Sequence, residues 1–189
     1  MNNCNHNADF QELELFSQLS EEYCLLLENA GNFTLKDIVS KLLDILPRLY
    51  TVMYTRDESH LHSDEEIRPS VTEELWEQIR QTLKSRFNRY DVYPEIFDSR
   101  SDLEGEAVGC SISEDLADIY QDIKNFMVVY TVAAEEELHV AVNTCRMNFE
   151  TYWGQRLVNV LRALHAIYFG TDDLDELPVD TERFDDYMK

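Results

Sequence analysis

The sequence predicts an all-α protein, an antiparallel up-and-down bundle of about five helices with a long C-terminal helix. Three observations predict it. Gly totals only 5 and Pro only 4 in 189 residues, so helix breakers are few. Apolar residues recur at three- and four-residue spacing in five segments. The first four open at Asp, Ser or Thr, and the connections are mostly short, which suits antiparallel neighbours. A chain of this length buries roughly 70% of its unfolded surface, ample for a core.

Residues 1–8 are Asn-rich and read as a flexible N-terminus, 9–170 as the helical bundle domain and 171–189 as an acidic tail. Asp9 is placed to cap a first helix carrying Phe10, Leu13, Leu19, Tyr23, Leu26 and Leu27, with Gly31 at its C-cap. Thr34, with Asp37 three residues on, caps a second helix built on Leu35, Ile38, Leu42, Ile45, Leu46 and Leu49. Pro47 inside that pattern predicts a kink or break near Leu46. From Arg56 to Pro69 charge replaces periodicity, a connection long enough to be functional or disordered.

Ser70-Val71-Thr72-Glu73 reads as a capping box, with Ser70 or Thr72 as cap, for a third helix with Leu75, Trp76, Ile79, Leu83 and Phe87. Tyr90–Gly109 reads as a non-periodic connection. A second capping box, Ser111-Ile112-Ser113-Glu114, opens a fourth helix with Leu116, Ile119, Ile123, Phe126, Met127 and Tyr130. Met127–Val132 is β-branched enough for a strand, but a lone strand leaves its backbone unpaired, so a helix end and turn are expected. The fifth helix is the longest, from about Ala134 to Tyr168, with Gly170 as its stop.

Asp+Glu total 38 against 16 Lys+Arg, a formal net charge of −22. That balance argues against nucleic acid, whose phosphates require clustered cations, and against an anionic membrane surface. No apolar run is long enough to span a bilayer, and the N-terminus lacks the pattern of a signal peptide. Cys4, Cys24, Cys110 and Cys145 include no CxxC pair, so neither zinc nor a redox motif is indicated, and a reduced, cytoplasmic protein is expected. There is no GxGxxG, GxxxxGK[ST] or GxSxG.

Chemistry is legible at one place. On a wheel at about 100° per residue, Asp115, Asp118 and Asp122 form one stripe along the margin of the fourth helix's apolar face. On the fifth helix Arg156 falls in the middle of the apolar arc and Arg146 near Trp153 at its edge. An arginine there must meet a carboxylate or stand as an uncompensated charge, and the stripe supplies the nearest carboxylates. Antiparallel packing of the two helices would then give a bidentate Arg–Asp network. The simpler reading is a polar latch that fixes register. The alternative is a site in which Asp115, Asp118 and Asp122, joined by Glu74 and Glu77, hold Mg²⁺ or Mn²⁺ beside an arginine that meets phosphate.

Other motifs read as structural. Glu136-x-x-His139 is half of a di-iron pair with no second half. His60-x-His62 beside Asp57 and Asp64 reads as solvated loop, and His165 points away from the buried arc. No Ser/His/Asp or Cys/His nucleophile can be assembled. Gly154, after Trp153 inside a helix, costs up to ~1 kcal/mol against Ala and reads as a close helix–helix approach.

The run Asp115-Leu116-Ala117-Asp118-Ile119-Tyr120-Gln121-Asp122, with Arg146-x-x-Phe149-x-x-x-Trp153-Gly154 and upstream Tyr93-Pro94-Glu95-Ile96-Phe97-Asp98, resembles an uncharacterised bacterial family, domain of unknown function 5063. The likeness runs from the first helix to Leu164. It implies an all-helical up-down bundle and supplies no activity. Histidines often flank the Trp-Gly pair in that family; here the flanks are Tyr152 and Gln155-Arg156, so no metal role carries over.

Two functions follow. The first is a non-catalytic module that binds or regulates another protein or forms a homo-oligomer, needs no cofactor, and has a tail whose Leu177, Phe184 and Tyr187 dock on a partner or on the bundle itself. The second is a divalent-metal-dependent hydrolase of a phosphorylated small molecule, centred on the Asp stripe.

Overall fold

A computed structural model describes residues 3–55, 67–95, 108–132 and 135–174, with side chains from Gln11 onward except those of Thr55, Glu135 and Glu136. His60, His62, Asp57, Asp64, the Glu136 side chain, the Ile96-Phe97-Asp98 part of the upstream motif and tail residues 175–189 lie outside the described residues.

The chain folds as the all-α bundle expected. Its helices are α1 (Asn3–Glu28), α2 (Leu35–Thr55), α3 (Glu73–Phe87), α4 (Ile112–Val132) and a long last helix made of α5 (Glu135–Asn148), a π-turn (Phe149–Trp153) and α6 (Gly154–Tyr168). α4 is the central element. It packs against α1, α3, α5 and α6, and Ile112, Leu116, Ala117, Ile119, Tyr120, Ile123 and Phe126 on it are fully buried. Two polar ties fix α1 on it: the Tyr23 hydroxyl donates to the Leu116 carbonyl at 2.8 Å, and Lys124 and Tyr120 both donate to Glu28.

The caps follow the sequence in part. Asp37 N–H donates to Thr34 Oγ1, whose hydroxyl donates back to the Asp37 carboxylate at 2.8 Å. At α3 the cap is Thr72, whose side chain accepts from Leu75 N–H. The α1 helix begins at Asn3, upstream of the Asp9 cap expected. Gly31 is not a left-handed cap, because no glycine among the described residues has positive φ. A 3₁₀ turn, Ala30–Asn32, ends the helix instead, and the Arg86 guanidinium donates to the Gly31 carbonyl that this turn exposes. Pro47 does not break α2; the helix runs on to Thr55 with Pro47 on its exposed side. Likewise Met127–Val132 is neither strand nor turn but the last part of α4.

The stretch Tyr90–Gly109 holds a feature that the periodicity does not disclose. β1 (Val92–Glu95) and β2 (Val108–Ser111) pair antiparallel, with Tyr93 opposite Cys110 and Pro94 opposite Gly109. α3 ends at Asn88, the one non-glycine with positive φ among the described residues (φ 47°), and the chain turns there towards the hairpin. Asp91, just before β1, is buried and serves α4. Its carboxylate accepts from Ser113 N–H at 2.8 Å and from the hydroxyls of Ser111 and Ser113, and its carbonyl accepts from Ile112 N–H. The α4 N-terminus therefore receives its anion from another element. Ser111 still accepts from Glu114 N–H as the capping box requires, whereas the Glu114 side chain turns to Arg80. Arg162 on α6 secures the hairpin through the Pro94 carbonyl and Glu95, each at 2.8 Å.

Candidate functional site

The Asp stripe on α4 meets the last helix as an antiparallel ladder. Asn148 Nδ2 donates to Asp122 at 2.5 Å, the Tyr152 hydroxyl to Asp118 at 2.8 Å, and Arg156 Nη1 to Asp115 at 2.5 Å. Each rung moves three or four residues back along α4 and four forward along its partner, the spacing at which side chains on one helix face recur. Arg156 bridges two rungs, its Nε lying 3.3 Å from Asp118, while its guanidinium stacks on the Tyr152 ring with 4.6 Å to the centroid. Two further donors close the cluster: Trp76 Nε1 of α3 to Asp118 at 3.0 Å, and the Tyr93 hydroxyl of β1 to Asp115.

The π-turn sets this register. A π-turn carries one extra residue, so the buried face beyond it is rotated relative to the face before it. Before the turn Ala141, Val142, Cys145 and Phe149 are buried; after it the buried apolar side chains are Leu157, Val160, Ala163 and Leu164, and the face extends to Leu157 and Leu164 on one side. Arg156, expected at the centre of the apolar arc, consequently sits at its margin with a side chain 35% exposed, and it reaches the α4 stripe from there. Gly154 belongs to the same device. A Cβ at that position would lie 2.4 Å from the Phe149 carbonyl oxygen and 2.9 Å from its ring. The close approach that demands glycine is thus to the helix's own π-turn, not to a neighbouring helix.

Trp153 is fully buried beneath the turn, its indole N–H donating to the Cys145 carbonyl at 3.0 Å and its ring edge-on to Phe149. Arg146 forms an ion pair with Glu150 at 3.0 Å, one turn on along its own helix. Glu77 is held by Arg80 and Gln81, and Arg80 passes on to Glu114 rather than to the Asp stripe. Among the described residues no group of three His, Cys, Asp or Glu side chains is positioned to hold a metal ion. Tyr93, Asn148 and Tyr152 are members of the ladder that sequence reasoning missed. Tyr152 and Asn148 had a visible signal, their spacing of four and eight residues from Arg156; Tyr93, more than 20 residues from Asp115, had none.

Burial dominates the electrostatics. It raises the carboxyl of Asp115 above its ordinary value, against the lowering pull of Tyr93 and Arg156. It pushes Asp122 up to about 6, helped by the neighbouring charge of Asp118 and opposed by the Asn148 hydrogen bond. Burial and the bond to Asp118 bring the Tyr152 hydroxyl up to about 12. A carboxyl whose folded value is raised keeps its proton longer in the folded state, so its contribution to stability falls as pH rises from the unfolded value towards the folded one. For Asp122 that window runs from about 4 to about 6. Asp122→Asn, which preserves the acceptor for Asn148, is expected to raise stability at pH 7.5 by about 1–2 kcal/mol and to change nothing below about pH 4. Urea unfolding at the two pH values measures this.

A second surface stands apart from the ladder. Where α2 packs antiparallel on α6, a groove of about 520 Å³ opens between Leu43, Asp44 and Pro47 on one side and Leu161, His165 and Phe169 on the other. Exposed rings stand at one end of it, where Phe169, 68% exposed, lies beside Tyr168 and His165; separately, further along α2, Tyr54, 71% exposed, stacks on Tyr50. Single exposed apolar residues are ordinary; clusters of them mark contact surfaces.

The sequence model of the family described as domain of unknown function (DUF5063) matches residues 8–170. Among solved structures, protein BF1032 from Bacteroides fragilis is similar at 35% identity and a TM-score of 0.73, over 85% of this chain and 94% of that one. No curated protein matches. No helix among the described residues is long and apolar enough to cross a membrane.

Proposed function

The chain belongs to the bacterial family of domain of unknown function 5063, and we propose that it is a non-catalytic, cytoplasmic module that binds another protein through the α2–α6 face. The open groove with exposed Tyr168 and Phe169 at its end, together with the exposed Tyr50–Tyr54 pair on α2, carries this reading. Aromatic side chains beside a preformed apolar groove are the usual anchors of protein contacts. The Asp–Arg ladder supports it from the other direction. A hydrolase would need carboxylate oxygens open to a cation, yet those of Asp115 and Asp118 accept from Tyr93, Arg156, Trp76 and Tyr152. Such a cluster acts as the latch that sets α4 against the last helix.

Tyr54→Asp combined with Phe169→Asp tests the proposal. Both side chains are largely exposed, so thermal unfolding should be unchanged while affinity for the partner falls at least about tenfold. An unchanged affinity in a folded variant would remove the α2–α6 face from consideration. For the hydrolase reading, Mg²⁺ or Mn²⁺ at millimolar concentration should leave the unfolding temperature where it is. A metal-induced rise that vanishes in Asp118→Asn would restore that reading.

A further inference from the structure

The lining of the α2–α6 groove holds one carboxylate, Asp44, and neither Lys nor Arg. Bases on its two helices are engaged elsewhere. Lys41 stands over the Phe33 ring, Arg156 serves the Asp ladder, and Arg162 holds Pro94 and Glu95 of the hairpin. Lys36, one turn before Ser40, lies outside the lining.

Arg48 is the base that meets Asp44, at 3.1 Å and one turn on along α2, and it also lies 3.8 Å from Glu22 of α1. Two carboxylates thus share one guanidinium at this edge. The Asp44 side chain is 69% exposed and that of Arg48 47%, so water screens their pair and it contributes little. An incoming cation can take Asp44 while Arg48 keeps Glu22. At the end of the groove the exposed rings of Tyr168 and Phe169 offer further faces to a cation, which aromatic rings attract through their quadrupoles. Leu43, Pro47 and Leu161 supply apolar surface for the same occupant. A groove of this kind between two helices is the seat that an amphipathic helix fits with its apolar face.

Charge ranks the occupants. The chain carries a formal net charge of −22, which steers a basic partner towards it and repels an acidic one. A second copy in a two-fold contact would bring the same carboxylate and a further −22 to this face. An acidic segment would find no base in the lining.

We propose that the α2–α6 groove takes a basic amphipathic helix of the partner protein, one that presents a Lys or Arg to Asp44 from within an apolar stripe. The proposal rests on the reading of this face as an interaction surface and adds the chemistry of what binds there.

Fluorescence anisotropy with two designed peptides tests it on the full-length protein at physiological ionic strength. Each peptide is a helix of about five turns with a leucine stripe, interrupted by lysine in one and by glutamate in the other. The wild type should bind the lysine peptide at least about tenfold more tightly than the glutamate peptide. Asp44→Lys should cancel or reverse that preference, with circular dichroism unchanged because the side chain is exposed. Glu137→Lys on α5 changes the net charge equally and should keep the preference within about twofold of the wild type. Phe169→Ala should weaken the lysine peptide several-fold. Equal peptide affinities in the wild type would overturn the proposal. So would an equal loss of preference in Asp44→Lys and Glu137→Lys, which would mean diffuse attraction to an acidic molecule. Unchanged binding to Phe169→Ala would place the peptide elsewhere and overturn it as well. The partner itself is read separately. If the charge preference is absent while Tyr54→Asp/Phe169→Asp still loses the partner, only the chemistry assigned to the occupant is wrong. If the preference holds at Asp44 and no partner depends on those residues, the proposed function is what fails.

Discussion

Replacing Arg156 by Met should lower the free energy of unfolding by about 2–4 kcal/mol at pH 7.5, the largest effect expected of any polar side chain in the molecule. The reason lies mostly with its partner. Asp115 is 4% exposed, and without the guanidinium its carboxylate retains only the Tyr93 hydroxyl. Partial exposure of Arg156 keeps the loss below that of a wholly buried pair. The carboxyl of Asp115, already raised by burial, would rise further and escape the penalty by taking a proton. The deficit should therefore shrink as pH falls to 5 and grow towards pH 8. Asp115→Asn should cost only about 1 kcal/mol, because Asn still accepts from Tyr93 and Arg156 keeps Asp118. The combination Tyr93→Phe, Asp115→Leu and Arg156→Met should recover most of the loss, since an apolar replacement of a whole buried network is often neutral. Failure of that recovery, in a protein that still folds, would mean that the cluster does more than hold register.

Gly154→Ala should be the second severe change, with a cost of about 2 kcal/mol or more in chemical unfolding. Helix propensity alone favours alanine by up to ~1 kcal/mol, so the sign of the result is diagnostic. The new methyl would lie 2.4 Å from the Phe149 carbonyl oxygen, a backbone atom that cannot rotate away. Relief requires the π-turn to revert to α-helix, and the turn is what aligns Tyr152 and Arg156 with Asp118 and Asp115. A variant that is stabilised would show that the turn is not needed for the fold.

Much of the fold was legible because its signals are local. Thr34 with Asp37, Thr72 before α3 and the apolar spacing of each helix depend on neighbours within four residues. The pairing of Arg156 with the α4 stripe was legible too, from the cost of leaving an arginine unpartnered on an apolar arc. What escaped was carried by contacts distant in sequence. Tyr93 and Asp91 reach α4 through a hairpin of two four-residue strands, too short to impose a period. The π-turn leaves one trace, a glycine inside a helix, and such a glycine fits packing between helices equally well. A wheel also assumes one buried face per helix. α4, packed on several sides, exceeds that assumption, so Asp115 lies inside the core rather than at its margin.

Site-specific photo-crosslinking in cells tests most directly whether the molecule acts through its α2–α6 face. The crosslinker p-benzoylphenylalanine would be placed at Tyr168 beside the groove in one variant and at Tyr152 on the Asp–Arg ladder in another; both positions are partly exposed. The predicted result is a single protein adduct from position 168, none from position 152, and binding of that same protein when both components are purified. Adducts from position 152 alone would place the working surface at the ladder and contradict the account.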